Sequence, residues 1–356
     1  MTFLRKHLVP MSLLGLQCCA PIAAQTPGDK LVPEYNVKQF AQGAAFDNVR
    51  RSTNFVAAAL QLKDSLAAYC DPATSATQAS AEVQSKWREA QMAWDQLAAL
   101  NVGPLVMRAA MGRSIDFMPA RRDMLDRAIA SAPQSQRDLE RIGTPALGFN
   151  ALELLLWPTA PAAGSPQCSY AALAAASIAS EADTLGHQFA NEAALALDDN
   201  KARGRLIEVI NQWVAGVEQL RWVFMRKPLE VANGRNQAPQ YPRQLSGQTT
   251  SAWRSRWSTL KSFAVQPGRP LLEGGQPDGL ISLEAWLRAR GKLAPLADEL
   301  AAATQRVDAS MDKAQPQTPA SVMAAATALG SLGKLVHDKV APALGVQMGF
   351  SDADGD

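Results

Sequence analysis

Histidine and cysteine are nearly absent from this chain, and neither sign of charge dominates it. Among 356 residues there are three histidines and four cysteines, and 35 basic residues face 33 acidic ones. So even a balance excludes the basic surface on which nucleic-acid binding depends. His7 belongs to the N-terminal leader, which leaves His187 and His337, and neither has a partner at metal-ligand spacing. A lone helical histidine reads as an exposed or core residue. The His-Glu-x-x-His pattern of zinc proteases is missing, and so is the Gly-x-Ser-x-Gly elbow of serine hydrolases. No histidine base is nominated for a serine nucleophile. Beyond the leader, no stretch reads as long and apolar enough for a membrane helix.

Residues 1–24 read as an export signal. Arg5-Lys6-His7 form a basic start, Leu8 to Ala20 is mostly apolar, and Ile22-Ala23-Ala24 offers a cleavage site before Gln25. Lipid attachment at Cys18 or Cys19 fits less well, because Gln17 or Cys18 would precede the modified cysteine. Cleavage removes Arg5 and Lys6 and no acid, so the mature chain is about neutral and is expected in the periplasm. It keeps only Cys70 and Cys168. An even pair in an oxidising compartment favours one disulfide over two buried thiols, and two cysteines without a nearby histidine make no zinc site.

Residues 25–43 read as a flexible lead-in. Helical periodicity then fills the chain: Ala44–Tyr69, Ala81–Leu100, Leu105–Phe117, Arg121–Ala130, Gln136–Ile142, Tyr170–Leu197, Leu206–Phe224, Ser251–Phe263, Leu280–Met311 and Ala320–Leu344, the last broken near Gly330–Gly333. Residues 158–167 look like a linker. Residues 227–249 form a long irregular loop, a length that is usually functional or disordered. Strand alternation is not found. The chain therefore reads as all-α, built of helical bundles in approximate halves 44–160 and 168–350. Trp87 and Trp94 have a faint counterpart in Trp213 and Trp222, and most of the eight tryptophans read as core.

The centre of the chain is Gly148-Phe149-Asn150-Ala151-Leu152-Glu153-Leu154-Leu155-Leu156-Trp157. From Ala146 to Trp157 only Asn150 and Glu153 are polar, so the helix is apolar all round and reads as buried. Thr144-Pro145 would cap it and Pro158 would stop it, giving a helix over about 145–156. Asn150 and Glu153, three apart, share one face. A buried carboxylate must be paired, hydrogen-bonded, protonated or bound to a cation. Two readings meet that need: an ion pair to Arg108, Arg113 or another arginine that fixes the helix, or a binding role in a polar cleft.

This stretch resembles the Gly-x-His-x-x-Glu signature of the imelysin family of bacterial envelope proteins, with Gly148 and Glu153 in place and Asn150 where the family has histidine. Gln91-Met92-Ala93-Trp94 followed by Gly103-Pro104 resembles another family block, as do Ile115-Asp116-Phe117-Met118-Pro119 and the ending Leu344–Asp356. The likeness runs over about 44–356. It implies two four-helix-bundle-like halves with the signature in the cleft between them. It also implies a periplasmic role in iron or metal uptake alongside other envelope iron-uptake components, binding rather than catalytic. A metallopeptidase is the alternative activity, and a structural protein with a lapsed metal site is a third. The implied cofactor is a divalent metal or iron. Asn150 weakens that implication, since an amide is a poor ligand for iron or copper, though its oxygen can serve calcium. On this reading Glu153 binds metal weakly or not at all, and Asn150→His should restore affinity. Asp352-x-Asp354-Gly355-Asp356 resembles the start of a calcium loop but ends before the glutamate such a loop requires.

Overall fold

In the computed structural model the described residues are 35–73, 80–266, 272, 275 and 277–349. The leader, residues 25–34 of the lead-in and the acidic C-terminal tail lie outside them. All regular elements among the described residues are helical.

Helix α1 spans Val37–Cys70 and begins inside the expected lead-in, not at Ala44. Its start is set by a capping box: Asn36 accepts from the Gln39 amide and Gln39 accepts from the Asn36 amide, both at 2.9 Å. Phe40, Phe55, Leu62 and Leu66 line its buried face. Helix α2 (Ser80–Ala98) packs beside it, burying Trp87 and Trp94. The expected Leu105–Phe117 helix is two short pieces, α3 (Pro104–Met107) and α4 (Ala109–Ile115), parted at Arg108. Then come α5 (Arg122–Ala130), α6 (Gln136–Leu139), a 3₁₀ turn at Thr144–Ala146, and α7 (Gly148–Leu156).

Helix α8 (Pro166–Ala194) lies along α1, the most extensive helix pair in the fold. Its buried Ala171, Ala174, Ala175, Ala179 and Ala182 let the two backbones approach closely. A disulfide between Cys70 and Cys168 ties the end of α1 to the first turn of α8. Helix α8, the first helix of the expected second half, returns to complete the bundle begun by α1, α2 and α7.

The other bundle is α9 (Asp199–Gln219), α11 (Thr249–Ala264), α13 (Ala294–Lys313) and α14 (Pro319–Leu335), with the short α12 (Leu283–Ala289) packed on α13. Two π-helical segments interrupt it. Leu220–Arg226 leads into α10 (Lys227–Arg235), which occupies part of the expected loop, and Val336–Val340 leads into α15 (Ala341–Ala343). Both precede a proline inside a helix. Pro228 cannot donate to the Phe224 carbonyl and its ring crowds that oxygen, so the helix widens and the Trp253 indole donates to Phe224 instead, at 3.1 Å. Pro342 stands in the same relation to the second segment. Accordingly the helix runs unbroken through Gly330–Gly333, where a break was expected. Pro319–Ala343 is, contrary to the sequence reading, long and apolar enough to cross a membrane by length and composition. Part of it is buried against α13 and the first π segment.

Candidate functional site

Helix α7 is only nine residues long, so its placement depends on its neighbours. The chain enters it through Leu147 in extended conformation and Gly148 at φ +72°, a left-handed value that disfavours side chains. A Cβ at Gly148 would lie 2.1 Å from the Ile115 carbonyl oxygen, so α7 can seat against the end of α4 only with glycine there. Thr144 and Pro145, expected to cap it, instead belong to the separate 3₁₀ turn, which has no side-chain cap, and the Tyr170 hydroxyl holds that turn by donating to the Ala146 carbonyl at 2.8 Å. At the other end the Leu156 carbonyl accepts from Gln84 and the Leu154 carbonyl from Arg122, each at 2.8 Å. The Trp87 indole donates to the Phe149 carbonyl at 3.2 Å. These contacts fix the face carrying Asn150 and Glu153.

Both side chains are buried, at 7 % and 5 % exposure. Arg108 and Arg113, expected partners of Glu153, are instead exposed on α3–α4 and take no part in the site. Nor does any arginine among the described residues donate to Glu153. Its Oε1 accepts from the Ser246 amide at 2.8 Å and the Ser246 hydroxyl at 2.6 Å. The arginine present is Arg243, on the loop between α10 and α11, at 1 % exposure. Its Nη1 donates to Asn150 Oδ1 at 2.6 Å, and its Nη2 donates to Asp116 Oδ1 and Oδ2 at 2.7 and 2.6 Å. Asn150 Nδ2 donates in turn to Asp116 Oδ1 at 2.7 Å and the Phe117 carbonyl at 2.9 Å, while the Trp94 indole donates to Asp116 Oδ2 at 3.0 Å. Arg243 adopts φ +62°, an uncommon backbone state that the Gln248 amide helps hold by donating to its carbonyl at 2.9 Å.

The network continues into the seam between the bundles. Asp95 of α2 lies 4.0 Å from Arg243 Nη2 and accepts from Arg256 Nε at 2.9 Å and from Gln91 at 2.7 Å. Burial pushes the Asp95 carboxyl up from its ordinary range, against the pull of Arg256 and Arg243. For Arg243, burial acts to weaken the charged form, but Asp116, Asp95 and Glu153 together outweigh it and hold the guanidinium protonated. Arg256 also sits over the Phe224 ring, 4.1 Å from its centroid, in the π segment.

This donor set does not fit a metal ion. Both Asp116 oxygens and the Asn150 oxygen already accept from a guanidinium, so an entering cation would meet a fixed positive charge within hydrogen-bonding distance of its ligands. No group of three or more His, Cys, Asp or Glu residues among the described residues is placed to hold one. His187 and His337 are exposed and pair with Asp183 and Asp338. Asp116 and the loop carrying Arg243 and Ser246 had been noticed in the sequence, but nothing there joined them to α7 or marked Asp95 and Arg256 as partners.

Over the network opens a cleft of about 480 Å³, with Asn150, Glu153 and Arg243 in its floor and Met118, Leu154, Val223, Val231, Tyr241 and Leu245 among its walls.

The family model described as Imelysin (Peptidase M75) matches residues 49–344. No curated protein matches the chain. Among solved structures, the crystal structure of an imelysin-like protein from Psychrobacter arcticum 273-4 superposes with a TM-score of 0.72 at 17 % identity, covering 88 % of this chain and 97 % of that one.

Proposed function

The chain belongs to the imelysin family, and from that premise we propose that it is a binding protein of the cell envelope serving iron or metal uptake, not a peptidase. On this reading the chain is exported by residues 1–24, acts in the periplasm, and works with other envelope uptake components. Its ligand enters the cleft above Asn150 and Glu153 as an organic molecule, not a bare ion. The observation that carries the reading is Arg243: its guanidinium stands among Asp95, Asp116 and Asn150 and supplies the positive charge those acids need. Asp95 and Asp116, already neutralised from within, have no call for a metal, and a metallopeptidase has no place for its activated water. Ser246, although bonded to Glu153, is buried and does not line the cleft, so it presents no nucleophile to a substrate.

Deletion of the gene in its host under iron limitation tests this. Cell iron should fall, and rescue should come from the native chain but not from Val231→Trp, which fills the cleft wall. Unchanged iron on deletion, or full rescue by the filled variant, would sink the reading.

A further inference from the structure

Both hydrogen bonds that Ser246 gives Glu153 land on Oε1, and no group among the described residues donates to Oε2. Glu153 is 5 % exposed and lines the cleft, so its second oxygen is a nearly buried acceptor with only the cleft to look into. Around it, Arg243 and Arg256 pair with Asp95 and Asp116, and Glu153 is in no ion pair among the described residues. At the mouth the charge is reversed. Lys227 and Arg235 on α10 are exposed, line the cleft, and have no ion-pair or hydrogen-bond partner among the described residues. Glu230 between them is taken by Arg226 at 2.6 Å. The walls between floor and mouth are mostly apolar, with Gln237, Gln240 and Gln244 as polar exceptions, and Val231 and Leu245 stand 43 % and 52 % exposed along them. The buried Tyr241 hydroxyl also lacks a partner among the described residues.

We propose that the cleft binds an amphoteric organic molecule, with an N–H cation on Glu153 Oε2, an apolar middle along Val231 and Leu245, and an anionic group between Lys227 and Arg235. This rests on the binding-protein reading and names the chemistry of its ligand. An ammonium suits the floor where a metal does not. It carries one charge and needs at most three acceptors, of which Glu153 Oε2 supplies one and solvent in the open cleft the others, whereas calcium takes about six to eight oxygens. The anionic end gains from two unpaired cations at the rim, an attraction that weakens with salt.

Calorimetry on the full processed chain tests it with ω-aminooctanoate and ω-aminododecanoate against octanoate and octylamine. At least one ω-amino acid should bind about tenfold or more tighter than either singly charged probe. Glu153→Gln should weaken that ω-amino acid and octylamine by about tenfold while leaving octanoate unchanged. Lys227→Glu with Arg235→Glu should weaken the ω-amino acid and octanoate and leave octylamine unchanged. The rim residues are exposed, so that pair tests the proposal even if Glu153→Gln fails to fold, and thermal unfolding checks each variant. Equal affinity for all probes, no binding of either ω-amino acid, or binding indifferent to both sets of substitutions overturns the proposal. Binding of octanoate alone also overturns it, but leaves a binding protein with an anion site. Loss of the iron phenotype strikes the binding-protein reading instead.

Discussion

Asp116 has no ion-pair partner but Arg243 among the described residues, whereas Asp95 keeps Arg256. Removing Arg243 leaves Asp116 buried without a cation, the situation in which breaking a buried pair costs about 3–5 kcal/mol. Arg243→Met should therefore lower the free energy of unfolding by about that much in denaturant titration, and adding Asp116→Asn should recover part of the loss. Strictly additive effects would show the two side chains to be uncoupled. The structure also revises what Asn150→His should do. Imidazole there would lose the amide oxygen that accepts from Arg243 Nη1 and would meet the guanidinium, so the single substitution should gain no transition-metal affinity by calorimetry. Tight binding by that variant would mean Arg243 yields its place. Gly148→Ala should cost about 3 kcal/mol or more, because it adds left-handed strain to overlap with the Ile115 carbonyl. Gly112→Ala, whose Cβ would meet open space in α4, should be neutral or stabilising by up to about 1 kcal/mol. Comparable losses at both positions would refute the steric account. Glu153 and Asn150 were legible in the sequence because two polar residues stand out in an apolar run. Arg243 was not, since it reaches Asn150 across 93 residues from a loop with no period to betray its direction.

At the scale of elements, what reads well from sequence is what local chemistry decides. The burial of α7 followed from its composition, and the Cys70–Cys168 pairing from an even count in a chain read as exported. Missed features have causes further along the chain. The widened turns before Pro228 and Pro342 depend on how a helix absorbs a proline that tertiary packing forbids it to expel, and the start of α1 depends on a capping box inside a stretch that looked irregular. The disulfide joins residues 98 apart, across the whole of α2 to α7. Chain-entropy arguments assign such a closure about 4–5 kcal/mol. The double variant Cys70→Ser, Cys168→Ser should thus unfold at clearly lower denaturant, with α1 and α8 still paired in the native state by their alanine contacts. Free thiols in the unreduced, denatured protein, or a variant as stable as the parent, would contradict the bond or its weight.

The whole molecule turns on the seam where α2 and α11 meet. Two halves that met at a linker would share few contacts and could unfold one after the other. Here the buried apolar residues of both bundles form one continuous core. α8 reaches back across the expected boundary to lie on α1, and α2 is joined to α11 by Arg256 on Asp95 and by the Thr259 hydroxyl donating to the Gln96 carbonyl at 2.9 Å. Opening either bundle would expose that core and strand the charges of Asp95 and Arg256, so neither bundle has a low-cost way to open alone. Thermal unfolding should accordingly be a single transition. Near-ultraviolet dichroism reports on Trp87 and Trp94 in one bundle and on Trp213, Trp253 and Trp286 in the other, and it should coincide with the loss of helix. Residues 168–350 expressed alone should fail to fold, lacking α1 and α2 to cover α8 and α11. Two resolved transitions, or a cooperative folded fragment, would show that the seam is an interface between independent units and that the cleft above Glu153 can open by their separation.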